Sequence, residues 1–473
     1  MNTLAAFLAA APGFGDRTAI IDREGRKISF AAFARASAAV AGAWRQAGLE
    51  RGQRVLVAMP LGIDLYVGLA ALWRLGAVAV FPEPALGLNG LRHAARATKA
   101  DAFLTGGWFR LLRFAAPELY RIPRTLRVSH DGVGSDAVAD CASDDPALIS
   151  FTSGSTGAPK AIVRSHGFLA AQNACVAALL ASERGDEVDL VAFPVFVIAN
   201  LSLGVTSALP GWNLRRPHEA DAAGIIRQVR ECKATRALLP PSICEALAEA
   251  GQALPLRTIY TGGGPVFPDL IERILEASPH LDLVSVYGST EAEPIAHLHA
   301  REIATADWDA MKAGKGLLAG APIPQIRLRL EDGEIVVNGT HVNKGYLDPS
   351  QDRTTKLLRD GEVWHRTGDA ASLDAHGRLW LLGRHGGSVG GIHPFCAEAT
   401  ARFWDGVRRA ALVEMNGEAV LAIEGDAVAL PAWKRNAAAI GPLVVRHVDR
   451  IPLDARHRSK VDAAALKRAL SKS

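Results

Sequence analysis

Residues 54–81 read Arg54-Val-Leu-Val-Ala-Met-Pro-Leu-Gly-Ile-Asp-Leu-Tyr-Val-Gly-Leu-Ala-Ala-Leu-Trp-Arg-Leu-Gly-Ala-Val-Ala-Val-Phe81. Arg54 to Met59 is an apolar run of strand length, Leu65 to Arg74 has helical spacing, and Ala77 to Phe81 is a second apolar run. Strands that are apolar on both faces and separated by a helix belong in a parallel sheet covered by helices. The beat continues with a helix over Leu91 to Thr98 and returns in Ala237-Leu-Leu-Pro240, Arg257-Thr-Ile-Tyr260 and Leu283-Val-Ser-Val-Tyr287. From about residue 315 the texture changes to short alternating strands with glycine turns, as in Ile326-Arg-Leu-Arg-Leu330 and Glu334-Ile-Val-Val337. The last segment carries its own strands, Ala410 to Glu414 and Ala419 to Ile423, and a helix from Val461 to Leu470. The pattern predicts an α/β fold. A large N-terminal domain, residues 1–383, has mostly parallel sheets flanked by helices, with a β-rich subdomain over about 315–383. A small α+β C-terminal domain spans 384–473.

The 473 residues are too many for one core, which agrees with this division. A formal charge of +4, from 53 basic against 49 acidic side chains, offers no concentrated basic field. Neither a nucleic-acid partner nor a charged membrane surface is therefore expected. The five cysteines (141, 175, 232, 244 and 396) form no CxxC pair and predict neither disulfide framework nor zinc site, as in a reducing, cytoplasmic compartment. The start, Met1-Asn-Thr-Leu4 and an alanine-rich run to Pro12, lacks the positive residues of a secretory signal and reads as an amphipathic helix. Leu190 to Leu214 carries no acidic or basic residue before position 215 but is interrupted by Pro194, Asn200, Gly204, Pro210 and Gly211. It reads as strand, turn and short helix in a core, so no integral membrane segment is expected.

The strongest chemical signal is Ile149-Ser-Phe-Thr-Ser-Gly-Ser-Thr-Gly-Ala-Pro-Lys160. A strand end runs into hydroxyl residues packed between two glycines, then a proline and a lysine. Glycines let backbone approach phosphate oxygens, hydroxyls and amides donate to them, and Lys160 adds charge. It is not a P-loop, since GxxxxGK[ST] is absent. A polar turn between strand and helix is the plain alternative.

Together with four later blocks, this loop resembles the AMP-forming adenylating enzymes: acyl-CoA synthetases, peptide-synthetase adenylation domains and luciferase. Thr261-Gly-Gly-Gly-Pro265 resembles the turn bordering adenine and acyl carboxylate. Tyr287-Gly-Ser-Thr-Glu291 resembles the block whose aromatic stacks on adenine, whose threonine meets the α-phosphate and whose glutamate holds Mg²⁺. Thr367-Gly-Asp369 resembles the ribose-binding block, with Gly383-Arg384 at the hinge, and Pro452 to Lys460 matches the segment carrying the mobile lysine. The resemblance covers nearly the whole chain and implies ATP and Mg²⁺. It assigns Lys460, Thr290 and Glu291 to catalysis. Nucleotide contacts fall to Thr152, Ser153, Gly154, Ser155, Thr156, Gly157, Lys160, Gly262, Gly263, Gly264, Pro265, Tyr287, Gly288, Ser289, Asp369 and Arg384. The metal ligands are Glu291 and Thr156. It also implies that the small domain is mobile and closes to deliver Lys460.

Read physically, a carboxylate such as Glu291 at the carboxyl edge of a parallel sheet sits where ligands bind in open α/β folds, and it suits Mg²⁺ beside phosphates. A solvated loop glutamate is the alternative, as a turn-closing aspartate is for Asp369 and a solvated charge for Lys460. Glu293, His297, His299 and His365 show no metal spacing and read as structural or solvent-facing.

Two departures bear on the acceptor. Phe193-Pro-Val-Phe196 lacks the histidine common in acyl-CoA synthetases, and Gly383-Arg-His-Gly-Gly-Ser-Val-Gly-Gly-Ile-His-Pro394 lacks the hinge lysine near the pantetheine channel. CoA is thus uncertain. Glu187 to Phe196, Gly204 to Pro210, Cys396-Ala-Glu398 and Asp454 to Lys460 resemble the β-lactone synthetases of bacterial olefin biosynthesis, a branch beside the fatty-acid–AMP ligases. There a β-hydroxy acid is adenylated and its own hydroxyl displaces AMP. The implied partner is a small carboxylic acid, fatty or β-hydroxy, with oligomeric state open. Val197-Ile-Ala199 either lines an acyl pocket or packs the core, and no acidic side chain is identifiable that would hold an α-amino group. An acyl-CoA synthetase and a non-catalytic nucleotide-binding homologue remain the alternatives.

Overall fold

The computed structural model describes residues 1–83, 86–129, 134–152, 159–182, 184–214, 216–454 and 459–471. Two helix-covered sheets hold most of the core. The first runs in the order Arg124–Leu126, Ala102–Thr105, Arg54–Ala58, Val78–Phe81, Pro146–Thr152 and Lys160–Ser165, parallel except for the last pair. The second has a parallel centre of Asp282–Ser289, Thr258–Gly262, Arg236–Leu239, Val188–Val191, Thr206–Ala208 and Thr18–Ile21. Ala292–His299 and Lys27–Ser29 are its antiparallel edges. Strands such as Arg54–Ala58 and Arg236–Leu239 are buried almost throughout, as their unbroken apolar sequences require.

Helix Ile63–Arg74 crosses between the strands of the opening stretch and buries eleven of its twelve residues. The first helix, Ala5–Phe14, exists but is not amphipathic. Its sequence has no polar side chain, and it is held by burying Phe7 and Ala11, one turn apart. The charge-free stretch after Val188 folds as strand Val188–Val191, helix Phe196–Leu203 and strand Thr206–Ala208, and no described helix is long and apolar enough to cross a membrane. All five cysteines are unpaired.

The β-rich region is an antiparallel sheet of Leu317–Gly320, Leu379–Arg384, Glu362–Leu373, Glu334–Asn338 and Arg327–Glu331, with Lys356–Arg359 beside Glu362–Leu373. The linking segment 339–347 stitches this sheet to both others. Asn343 N–H donates to the Glu291 carbonyl (2.7 Å), Asn343 Nδ2 to the Val163 carbonyl (2.9 Å), and Leu347 N–H to the Ala161 carbonyl (2.9 Å).

The last sheet, Val407–Met415, Glu418–Gly425 and Val444–Val448, is flanked by helices Pro394–Arg402, Leu430–Ala437 and Ala463–Leu470. It docks through Arg402, whose buried guanidinium lies 4.3 Å from the Phe267 ring centre. The same group meets Asp269 at 2.7 Å and Glu245 at 3.3 Å. Arg409 also pairs with Glu245, and Phe395 packs edge-on against Phe267.

Candidate active site

Strands Thr258–Gly262 and Asp282–Ser289 lie side by side, so their carboxyl ends deliver the 261–265 turn and the 287–291 block to one edge. The approach is close. A Cβ on Gly262 would sit 2.4 Å from the Val286 carbonyl oxygen, a contact no side chain tolerates. Gly263 has φ of 79° and packs beside Phe193.

Tyr287 projects from this edge to the β-rich sheet, where its hydroxyl donates to Asp369 Oδ2 at 2.9 Å. Arg384 Nη1 donates to the other oxygen, Oδ1, at 2.6 Å. Asp369 is placed by its turn, since Gly368 takes a φ of 71° and its N–H donates to buried Glu334. Burial and the Asp369 charge push the Tyr287 phenol well above its ordinary range. Tyr287, Asp369 and Arg384, 97 residues apart from first to last, form one contiguous group.

Glu291 stands on the other side of the block. Its Oε1 accepts from Tyr346 at 2.8 Å. Burial opposes its ionisation, but His365, the Tyr346 hydroxyl and the Lys356 ammonium outweigh it and hold the carboxyl below its usual range. Lys160 Nζ lies 5.4 Å, and Lys356 Nζ 5.3 Å, from the Tyr346 ring centre. Lys356 is lowered to about 8 by burial, and its ammonium lies 3.3 Å from His365 Nδ1. His365, lowered to about 4 by burial and then by Lys356, is a neutral structural group that also meets the Thr355 carbonyl. Thr290 is fixed through its carbonyl, which accepts from Arg164 at 2.9 Å, and the Ser289 hydroxyl is buried without a partner among the described residues. The ionised Glu291 carboxylate is of the type that suits a divalent ion, and the two nearby ammonium groups suit the phosphates beside it. Glu291 is the described residue suited to hold the ion.

Strand Pro146–Thr152 is followed by strand Lys160–Ser165, with Thr152 opposite Lys160, and helix His166–Leu179 starts only afterwards, so the alternative of a turn leading directly into a helix does not hold. Ser153, Gly154, Ser155, Thr156 and Gly157 lie outside the described residues, as does the Thr152 side chain.

Lys460 belongs to a turn closed by Asp454. The Oδ1 of Asp454 accepts from Ser459 N–H (3.0 Å) and Lys460 N–H (2.9 Å), and its own N–H donates to the Lys460 carbonyl. That turn is seated on the 261–265 turn: a Cβ built on Gly264 would lie 2.4 Å from Ser459 Cβ. The structure thus brings the lysine-bearing turn to the edge that holds Pro265, Gly288 and their neighbours. Residues 455–458 are not described.

Sequence reasoning missed Tyr346 and Lys356, which reach Glu291 from across the β-rich sheet. It also read Glu293 as structural or solvent-facing. Glu293 instead lines an apolar cavity with Tyr66, Trp73, Val176, Phe196 and Ile198, its carboxyl raised to about 7 by burial. Of the predicted pocket wall, Ile198 and Ala199 line this cavity, while Val197 packs into the core. The one hint in the sequence was the Glu291-Ala-Glu293 alternation at a strand start.

Residues 7–347 match the family described as AMP-binding enzyme. The chain is 29% identical to an olefin beta-lactone synthetase of Xanthomonas campestris pv. campestris, covering 92% of this chain and 89% of that protein. It is 30% identical to a feruloyl-CoA synthase of an Amycolatopsis species, covering 90% and 91%. Among solved structures, the O-succinylbenzoate coenzyme A synthetase of Bacillus subtilis in complex with AMP superposes with a TM-score of 0.78. It is 22% identical, with 99% of this chain and 98% of that one covered.

Proposed function

The chain belongs to the AMP-binding enzyme family, and from that premise we propose that it converts a fatty or β-hydroxy carboxylic acid to its acyl-adenylate and then to a β-lactone. It is an adenylating enzyme that uses ATP; the acid, the acceptor and the residue roles are our reading. In the first step a carboxylate oxygen attacks the α-phosphorus and pyrophosphate leaves. In the second, the substrate's own hydroxyl oxygen attacks the acyl carbon, AMP leaves, and the hydroxyl proton is released.

Two anions meet in the first step, so the protein's task is to cancel charge and fix geometry. Tyr287 offers a face for adenine, and the Asp369 carboxylate, oriented by Arg384, accepts from ribose hydroxyls. Lys160 and Lys356 attract the polyphosphate. Glu291, with Thr156 as the resemblance implies, would hold Mg²⁺, which when bound screens the charge of the phosphates. Lys460 bridges acyl carboxylate and α-phosphate once the Asp454-held turn is seated. We take residues 384–473 as the closing domain, hinged at Gly383-Arg384. The observation that supports this reading is the packing of Ser459, the chain neighbour of Lys460, on Gly264.

The similarity to olefin beta-lactone synthetases over 92% of the chain, with the missing hinge lysine, supports an internal acceptor. Similarity to a feruloyl-CoA synthase at 30% identity supports the second reading, a CoA thioester product. Incubation with ATP, Mg²⁺ and a β-hydroxy acid should give AMP, pyrophosphate and β-lactone without CoA. AMP formation that depends strictly on CoA would establish the thioester reading instead.

A further inference from the structure

The cavity beside the nucleotide edge is walled by helices Ala5–Phe14, Ile63–Arg74, His166–Leu179 and Phe196–Leu203, and most of its lining is apolar. Glu293 is its one charged group. The side chain comes from the second residue of strand Ala292–His299 and packs on the 287–291 block, with its Cγ 3.2 Å from where a Gly288 Cβ would be. Glu293 therefore joins the cavity to the Tyr287-Gly288-Ser289 turn.

Its surroundings leave it unmatched. No described residue donates a hydrogen bond to the Glu293 carboxylate, whereas donors around the cavity are directed elsewhere. Gln172 Nε2 donates to the Glu293 backbone carbonyl (3.2 Å), Asn173 Nδ2 to Ser202 (2.9 Å), Tyr66 to the Pro194 carbonyl (3.1 Å) and Trp73 to the Ala147 carbonyl (3.0 Å). Arg164, whose charge partly offsets the effect of burial on Glu293, donates to the Thr290 carbonyl. Asn173 Oδ1 is a second buried acceptor without a partner. An unpaired carboxylate in apolar surroundings is costly, and such groups are matched by a ligand where the fold does not match them.

We propose that Glu293 is a specificity-determining residue that accepts a hydrogen bond from a hydroxyl or amino group on the chain of an otherwise apolar acid, close to its carboxyl end. This rests on the adenylation reading above and narrows its substrate to donor-bearing acids. Nothing in it requires Glu293 to change protonation state. Acids lacking the donor leave the carboxylate desolvated and unpaired, which is the kind of mismatch that discriminates strongly between substrates.

The test is ATP–pyrophosphate exchange with three acids of equal chain length: unsubstituted, β-hydroxy and β-amino. Wild type is compared with Glu293→Gln and Glu293→Leu. Wild type should favour one donor-bearing acid over the unsubstituted one by at least ~10-fold in kcat/KM. Glu293→Leu should erase or invert that ranking. Glu293→Gln should keep the hydroxy acid, whose donor an amide oxygen still accepts, and lose the amino acid, whose charge it no longer balances. Each ranking is a ratio within one preparation, so a reduced folded fraction cancels, and the near-isosteric Gln variant answers where Leu does not fold. Exchange with an unchanged ranking in both variants overturns the role of Glu293 while adenylation stands. Exchange by wild type with no acid overturns adenylation, and this proposal with it.

Discussion

At the scale of single residues, the site depends on charges placed by backbone contacts. Lys460 is exposed, but both its N–H and its carbonyl are bonded to Asp454, so its direction is set by the turn. Lys460→Ala should lower acid-dependent ATP–pyrophosphate exchange by ~10²–10³-fold while equilibrium ATP binding stays within about threefold. An unaltered exchange rate would remove Lys460 from the chemistry. Gly264 tests the seating itself. Gly264→Val puts atoms where Ser459 now packs, so exchange should fall by ~100-fold, the cost of a misplacement of about 1 Å. The melting temperature, read by calorimetry, should move by less than about 3 °C, because the clash is relieved by lifting the turn. The blocks that hold Tyr287, Glu291, Asp369 and Lys460 were legible in the sequence because they are short and follow a fixed order. Glu293 was not, since a glutamate beginning a strand looks like a solvated charge until the helices that surround it are placed.

Helix Pro394–Arg402 shows how one element binds the C-terminal residues to the rest. Arg402 is buried with Asp269 and Glu245 and capped by Phe267. Breaking a buried pair strands the remaining charge at ~3–5 kcal/mol. Arg402→Met should therefore loosen this docking, seen as faster limited proteolysis within 384–393 together with reduced exchange. Glu398, on the same helix, gives a pH signature. Burial raises its carboxyl to about 7, and the Leu412 N–H donates to it at 2.9 Å. The folded value lies above the unfolded one of ~4.3, so the folded state holds the proton more tightly and stability falls as pH rises from ~4.3 through about 7. That fall, at most roughly 4 kcal/mol, should be absent from Glu398→Gln when the pH dependence of unfolding is compared with wild type. At this scale the strand–helix alternation predicted the parallel sheets well, since continuous apolar runs have no other home. It failed at the first helix, where the apolar alanine-rich segment lacks a polar face.

Across the whole molecule, the site exists only where three distant parts converge: the sheet edge at 262–291, the β-rich segment at 343–384 and the turn at 453–461. Motif order told which parts belong together. It could not tell that Tyr346 and Lys356 would join Glu291, because that depends on segment 339–347 crossing between two sheets, a tertiary event with no local signature. The Tyr346 corner also has a consequence for turnover. Lys160 and Lys356 are held near one ring, and burial together with the Lys160 charge makes the Lys356 ammonium harder to bear. Such a corner has a standing appetite for anions, and the most highly charged product is the one it surrenders last. Slow egress of pyrophosphate should set the tempo of the cycle, so adding inorganic pyrophosphatase should quicken steady-state AMP release while micromolar pyrophosphate stalls it.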